Sequence, residues 1–109
     1  VLTTSPTWSG PARRVKGLVW ADPATHQPGD YDFAMRRVGD RDYIGCVNIV
    51  CPGCGTLSAL QLRKPSLWPG VPNKDWHWDG DEAAPTLSPS IHHVGCWHGH
   101  LKKGRFESC

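Results

Sequence analysis

Nothing in this 109-residue chain approaches the ~20 consecutive apolar residues of a membrane-spanning helix. No transmembrane helix and no membrane partner are therefore expected. No segment sustains the apolar period of an amphipathic helix, and there is no internal repeat. The first residues, VLTTSPTWSG, lack the basic start and apolar centre of a secretory signal, and the missing initial Met leaves room for upstream residues. Charge of one sign is scarce too: a formal net charge of +2 does not by itself argue for nucleic acid. The only glutamates are Glu82 and Glu107, both downstream of the one Cys-x-x-Cys pair. The His-x-Glu that precedes the cysteines of a zinc deaminase is thus absent.

What is abundant points to a small turn-rich domain in need of a staple. Hydrophobic residues make up 39% of the chain, and 12 Gly with 10 Pro favour turns over long regular elements. A domain this small buries a limited share of its surface, so a metal or disulfides commonly help. Six Trp can fill much of a small core. Five cysteines, an odd number, count against a fully paired disulfide framework. Two of them stand in CPGC, which reads as a metal knuckle or a redox pair, and hence as a sign of a reducing, cytoplasmic origin.

Strand signals dominate. Residues 1–12 are rich in Ser, Thr, Pro and Gly and read as a flexible arm, leaving 13–109 as a single β domain. Val15 to Trp20 reads as a first strand, and Ala21 to Asp30 as a loop. Tyr31 to Arg37 is open between a strand and one helical turn. Arg41 to Val50, rich in Tyr, Ile and Val, is the best strand and runs into CPGCG. Leu57, Leu60 and Leu62 suggest a returning strand, Lys64 to Lys74 a proline-rich loop, and Trp76 to Trp78 a short aromatic strand. PTLSPSI is extended, because Pro85 and Pro89 bias their predecessors away from helix. Val94 to Leu101 and Arg105 to Ser108 form a hairpin that turns at Lys102, Lys103 and Gly104. The expected fold is mainly β: a small, single-domain, zinc-stabilised antiparallel sheet, with a zinc-ribbon-like knuckle and a C-terminal hairpin.

Zinc takes four soft or borderline ligands in a tetrahedron, and Cys51 and Cys54 at a strand end supply two of them. The other two come from a region holding His92, His93, Cys96, His98 and His100. Alternate strand residues share a face, and at a rise of roughly 3.3 Å the pair Cys96 and His98 stand about 6.6 Å apart, which one ion can bridge. The expected ligands of a structural Zn2+ are therefore Cys51, Cys54, Cys96 and His98, with His100 as the alternative. A thioredoxin-like redox role for CPGC wants a following helix, and GTLSALQL is a poor one.

Outside the cysteines, Asp75, Asp79, Asp81 and Glu82 fail the calcium-loop pattern and read as a solvated turn. Trp76 and Trp78 share a face, which suits a core or an exposed platform. Three basic clusters, Arg13, Arg14 and Lys16, then Arg36, Arg37 and Arg41, then Lys102, Lys103 and Arg105, could form a phosphate-binding face with Trp97 or Tyr43 between them if the fold brought them together.

The order CPGCG, PTLSPSI and GCWHGHLKKGRF resembles the uncharacterised bacterial and phage family of DUF6527-type proteins, over Cys51 to Phe106. The resemblance implies Cys51, Cys54, Cys96 and His98 as presumed ligands. It also implies Pro85, Pro89 and Ser90 as signature positions of unstated role. Together these readings give a small phage or bacterial accessory protein, in the host cytoplasm or the virion. It would be a non-enzymatic, zinc-stabilised module that binds another protein; a nucleic-acid binder and a zinc hydrolase are the alternatives.

Overall fold

The computed structural model describes residues 5–62 and 76–109 and is built of strands. In chain order these are β1 (Gly10–Pro11), β2 (Arg13–Arg14), β3 (Asp30–Val38), β4 (Arg41–Val50), β5 (Leu57–Gln61), β6 (His77–Trp78), β7 (Leu87–Ser88), β8 (Ile91–His93), β9 (Trp97–Lys102) and β10 (Arg105–Ser108). One sheet has the order β2-β3-β4-β5 and the other β1-β10-β9-β8, while β6 and β7 form a two-stranded ribbon. All pairings but β2 with β3 are antiparallel in the two main sheets. The expectation of a small, mainly β, antiparallel domain holds.

The two main sheets meet in one apolar cluster. Tyr31, Val47, Ile49 and Leu60 enter it from the first sheet, and Ile91, Trp97, Leu101 and Phe106 from the second. Each such side chain contributes roughly 1.5–3 kcal/mol when fully buried. Strand β9 alternates cleanly: Trp97, Gly99 and Leu101 are buried, while His98, His100 and Lys102 face outward. Gly99 is required there, because a side chain would overlap both the Glu107 carbonyl and the Trp97 ring.

Sequence expectations fare unevenly against this architecture. The strand expected at Arg41 to Val50 is β4 over those same residues, and the ambiguous Tyr31 to Arg37 falls within β3. Val15 to Trp20 is not a strand: Gly17 adopts φ 76°, and a 3-10 turn follows at Leu18–Trp20. Only Leu18 of that turn is buried, and Trp20 is 91% exposed. Part of the expected arm is built into the sheet. Gly10 pairs with Phe106, and the Trp97 Nε1 donates to the Trp8 carbonyl at 3.0 Å. The loop expected at Lys64 to Lys74 lies outside the described residues. Among the described residues no helix is long and apolar enough to cross a membrane.

The surface expected to bind a partner is differently employed. Trp97 is 2% exposed and belongs to the core, so it offers no stacking platform. Trp76 and Trp78 pack against the same cluster, and Trp78 also lies against Phe33 at 4.9 Å. Arg37 pairs with Asp42 at 3.0 Å, whereas the Arg36 side chain is outside what is described. Lys102 and Lys103 are exposed at the β9–β10 turn. Arg13 and Arg14 are tied to the buried Asp30 and Asp32. These pairs anchor the chain start to β3 and gather no phosphate-binding face. Asp79 and Asp81 accept backbone N–H bonds from Asp81, Thr86, Ala83 and Ala84, which is the work of a turn.

Candidate functional site

Two clusters of reactive side chains adjoin each other on one hairpin, β8–β9. The first begins where β4 ends. Gly55 N–H donates to the Cys51 carbonyl at 2.8 Å and Cys51 N–H to Thr56 at 2.8 Å, closing the knuckle. The Gly53 and Cys54 amides point at the Cys51 sulfur. Gly53 lies so close to Cys96 that any side chain there would overlap the Cys96 carbonyl. This contact sets a second turn, His93 to Cys96, against the first.

The ligand atoms of Cys51, Cys54 and His93 lie within 4.8 Å of one another, a group that could hold a metal ion. His93 Nδ1 is 3.0 Å from Cys51 Sγ and 3.6 Å from Cys54 Sγ. A tetrahedron with metal–sulfur and metal–nitrogen bonds of about 2.3 and 2.0 Å has S···N edges of about 3.5 Å. Cys96 stands next to this group of three, its thiol interacting with both Cys54 and Cys51. The three thiols differ in acidity, and only Cys54 is shifted toward the ligating thiolate. Thr56 Oγ1, 3.4 Å from Cys54 Sγ, holds that thiol down to about 6. Burial pushes the Cys51 thiol up, and the neighbouring Cys54 does the same to Cys96.

His98, the fourth ligand expected from sequence, is elsewhere. Its Nε2 is 3.2 Å from the Ser90 hydroxyl, and its ring lies 4.6 Å from that of His92 at 32°. The expectation assumed that Cys96 is a strand residue. The strand begins one residue later, at Trp97, and Cys96 sits in the turn, with its N–H donating to the His93 carbonyl at 2.9 Å. The alternate-residue rule therefore does not connect Cys96 to His98. His100, the alternative, is an outward residue of β9 and stands outside the group too. A signal for His93 was present: HVGC repeats the spacing and the penultimate glycine of CPGC.

The second cluster is Ser90, His92 and His98. Ser90 is half-buried and leads directly into β8, and His92 pairs with His98 across the hairpin. The Cys109 N–H donates to the His98 carbonyl at 3.0 Å, which fixes the backbone behind the imidazole. A hydroxyl within hydrogen-bond reach of an imidazole is the minimal nucleophile–base pair of acyl transfer. His98, though not Ser90, lines an open depression of about 240 Å³ together with Pro6, His92, His93, Gly95, Cys96 and Trp97.

A family model described as "Bacterial ubiquitination-like system serine protease (BubE)" matches residues 21–109. The chain belongs to this family. No curated protein and no solved structure matches it. BubE membership replaces the DUF6527-type assignment suggested by the motif order. It also overturns the non-enzymatic phage accessory module that binds another protein, because the family is named for a serine protease. The physical source of that error is specific. His98, read from spacing as a metal ligand, instead faces Ser90, the second serine of PTLSPSI.

Proposed function

We propose that this chain is a serine hydrolase acting in a bacterial ubiquitination-like system, with Ser90 as nucleophile and His98 as general base. The observation that carries the reading is the 3.2 Å contact between the Ser90 hydroxyl and His98 Nε2, in a chain whose family is named for serine protease activity. Ser90 Oγ adds to an acyl carbonyl while His98 Nε2 takes its proton. The same proton then passes to the leaving amine or alcohol as the acyl bond breaks, leaving an acyl-serine. Water, deprotonated by His98, releases the acid and regenerates Ser90. The substrate class is the amide or ester through which a ubiquitin-like modifier is joined.

His92 supports the base by stacking. Its ring covers one face of the His98 imidazole and limits rotation away from Ser90. The nearby thiol cluster takes no part in the bond changes. Cys51, Cys54 and His93 form the metal-capable group, and with the neighbouring Cys96 as fourth donor they would make a closed structural Zn2+ site, the ion we assign to it.

The test is labelling of the purified protein with a fluorophosphonate, which reports an activated serine. Ser90→Ala should abolish labelling, and His98→Ala should slow it by about 10²–10⁴, the usual contribution of a positioned general base. Ser88→Ala, at the exposed residue of strand β7, is the control and should label normally. Labelling that persists in Ser90→Ala would sink the assignment.

A further inference from the structure

The nucleophile, the base and half of the thiol cluster occupy nine consecutive residues, Ser90 to His98. Strand β8 has only three residues and lies at the edge of its sheet, held by pairing with β9 alone. Of its side chains Ile91 is buried and His92 exposed, so the strand has one firm apolar anchor. The turn that joins β8 to β9 carries Val94, which is 79% exposed, and Gly95 at φ 79°. The tip of this turn is open to solvent, and its second leg packs on the Cys51 to Cys54 turn through the Gly53–Cys96 contact. It carries a ligand on each leg, His93 on the first and Cys96 on the second.

The opposite pair of ligands is firmly founded. Cys51 is 2% exposed and follows the ten-residue β4, the inner strand between β3 and β5. An ion bound by all four residues would tie both legs of the β8–β9 hairpin to that strand end. Ser90 stands three residues before His93 and His98 two residues after Cys96, so the clamp and the dyad sit on the same two legs. About 10 Å of extended chain separates Ser90 from His93, a short lever.

We propose that Cys51, Cys54, His93 and Cys96 form a zinc site that positions the catalytic dyad, so that hydrolysis depends on a metal that touches no reacting atom. This rests on the Ser90–His98 reading above. His93 and Cys96 are positioning residues, acting through the hairpin. Misplacing reacting groups by about 1 Å can cost 10²-fold in rate, so a loosened hairpin lowers reactivity before it disturbs the core.

The experiment compares metal content, fluorophosphonate labelling and near-ultraviolet circular dichroism in the wild type and in His93→Ala, His93→Cys, His98→Ala and Ser90→Ala. Wild type, His98→Ala and Ser90→Ala should each hold one zinc per chain. His93→Ala, and wild type treated with a chelator, should lose the zinc. Their maximal labelling rate should fall by about 10²-fold while the tryptophan signal of the core stays in place. His93→Cys restores a closed four-thiolate site and should recover both zinc and labelling relative to His93→Ala. Undiminished labelling without zinc would overturn the positioning role, as would loss of the core signal on chelation. Loss of zinc from His98→Ala would sink the ligand set alone. Labelling that survives in Ser90→Ala would sink the serine assignment while leaving the metal count untouched.

Discussion

The two facing turns, Cys51 to Cys54 and His93 to Cys96, have one spacing and opposite foundations. The first hangs from β4, whose last four residues, Val47 to Val50, are all buried between neighbouring strands. The second closes the three-residue edge strand β8 onto β9. An ion held between them would add little to a strand end already fixed by packing. It would add most to the hairpin, which is also where Ser90 and His98 stand. The difference teaches where sensitivity should lie: perturbations at the interface between the turns should act on the dyad side first.

The strongest way to break this asymmetry is to push the turns apart. In Gly53→Ala the new methyl would overlap the Cys96 carbonyl, a backbone group that cannot rotate aside. Overpacking of this kind typically costs 1–3 kcal/mol. We expect a lowered Tm together with loss of bound zinc, read by thermal unfolding and metal analysis. Gly80→Ala serves as the comparison: the added methyl meets nothing within 4 Å, and only its φ of 89° opposes it. Retained zinc in Gly53→Ala would mean that the two turns do not need to touch.

A smaller and purely electrostatic effect should follow from Thr56→Ala. Thr56 holds the Cys54 thiol down to about 6, from an ordinary 9.0, so at pH 7.5 Cys54 is already a thiolate. Removing the hydroxyl lets the folded value rise, and the thiol must then surrender its proton to bind metal. The sign is fixed: a depressed thiol favours the ligating form above about 6, and that advantage is lost as pH falls through this value. Calorimetric titration with zinc at pH 7.5 in buffers of different ionisation enthalpy should show up to one more proton released per metal than in wild type. Affinity should fall by about tenfold for each unit that the thiol rises beyond the working pH, and little before that. An unchanged proton count would show that Thr56 does not govern Cys54.

How much of this was readable from sequence follows the same division. Where a run of β-branched and aromatic residues coincided with burial on both sides, as in Arg41 to Val50, the strand and its terminal cysteines could be read directly. Where elements are only two or three residues long, pattern has nothing to average over. β7 and β8 inside PTLSPSIHH could be read only as extended. Displacing the start of β9 by three residues, from Trp97 to Val94, put Cys96 on a strand face and drew His98 to the metal. The Ser90–His98 pair joins residues eight apart through a hairpin whose turn had not been located. Val15 to Trp20 failed for a local reason: the apolar run is real, yet Gly17 and the hydrogen bond from its N–H to Asp32 at 2.9 Å turn the chain.

The smallest expected effect lies on the far side of the first sheet. Arg37 and Asp42 face each other across β3 and β4, with Arg37 Nε 3.0 Å and Nη2 3.3 Å from the two carboxylate oxygens. The geometry is bidentate, but the side chains are 65% and 51% exposed. Water and salt screen such a pair, and exposed pairs typically contribute 0.2–1 kcal/mol. Arg37→Ala should therefore lower stability by less than about 1 kcal/mol, and the loss should shrink further in high salt. Zinc content and fluorophosphonate labelling should both be unaffected, because the exposed Arg37–Asp42 pair belongs to β3 and β4 and not to the turns or the β8–β9 hairpin. A labelling rate that fell with Arg37→Ala would place part of the catalytic surface on the β3–β4 hairpin and would remove the division between a structural sheet and a functional one.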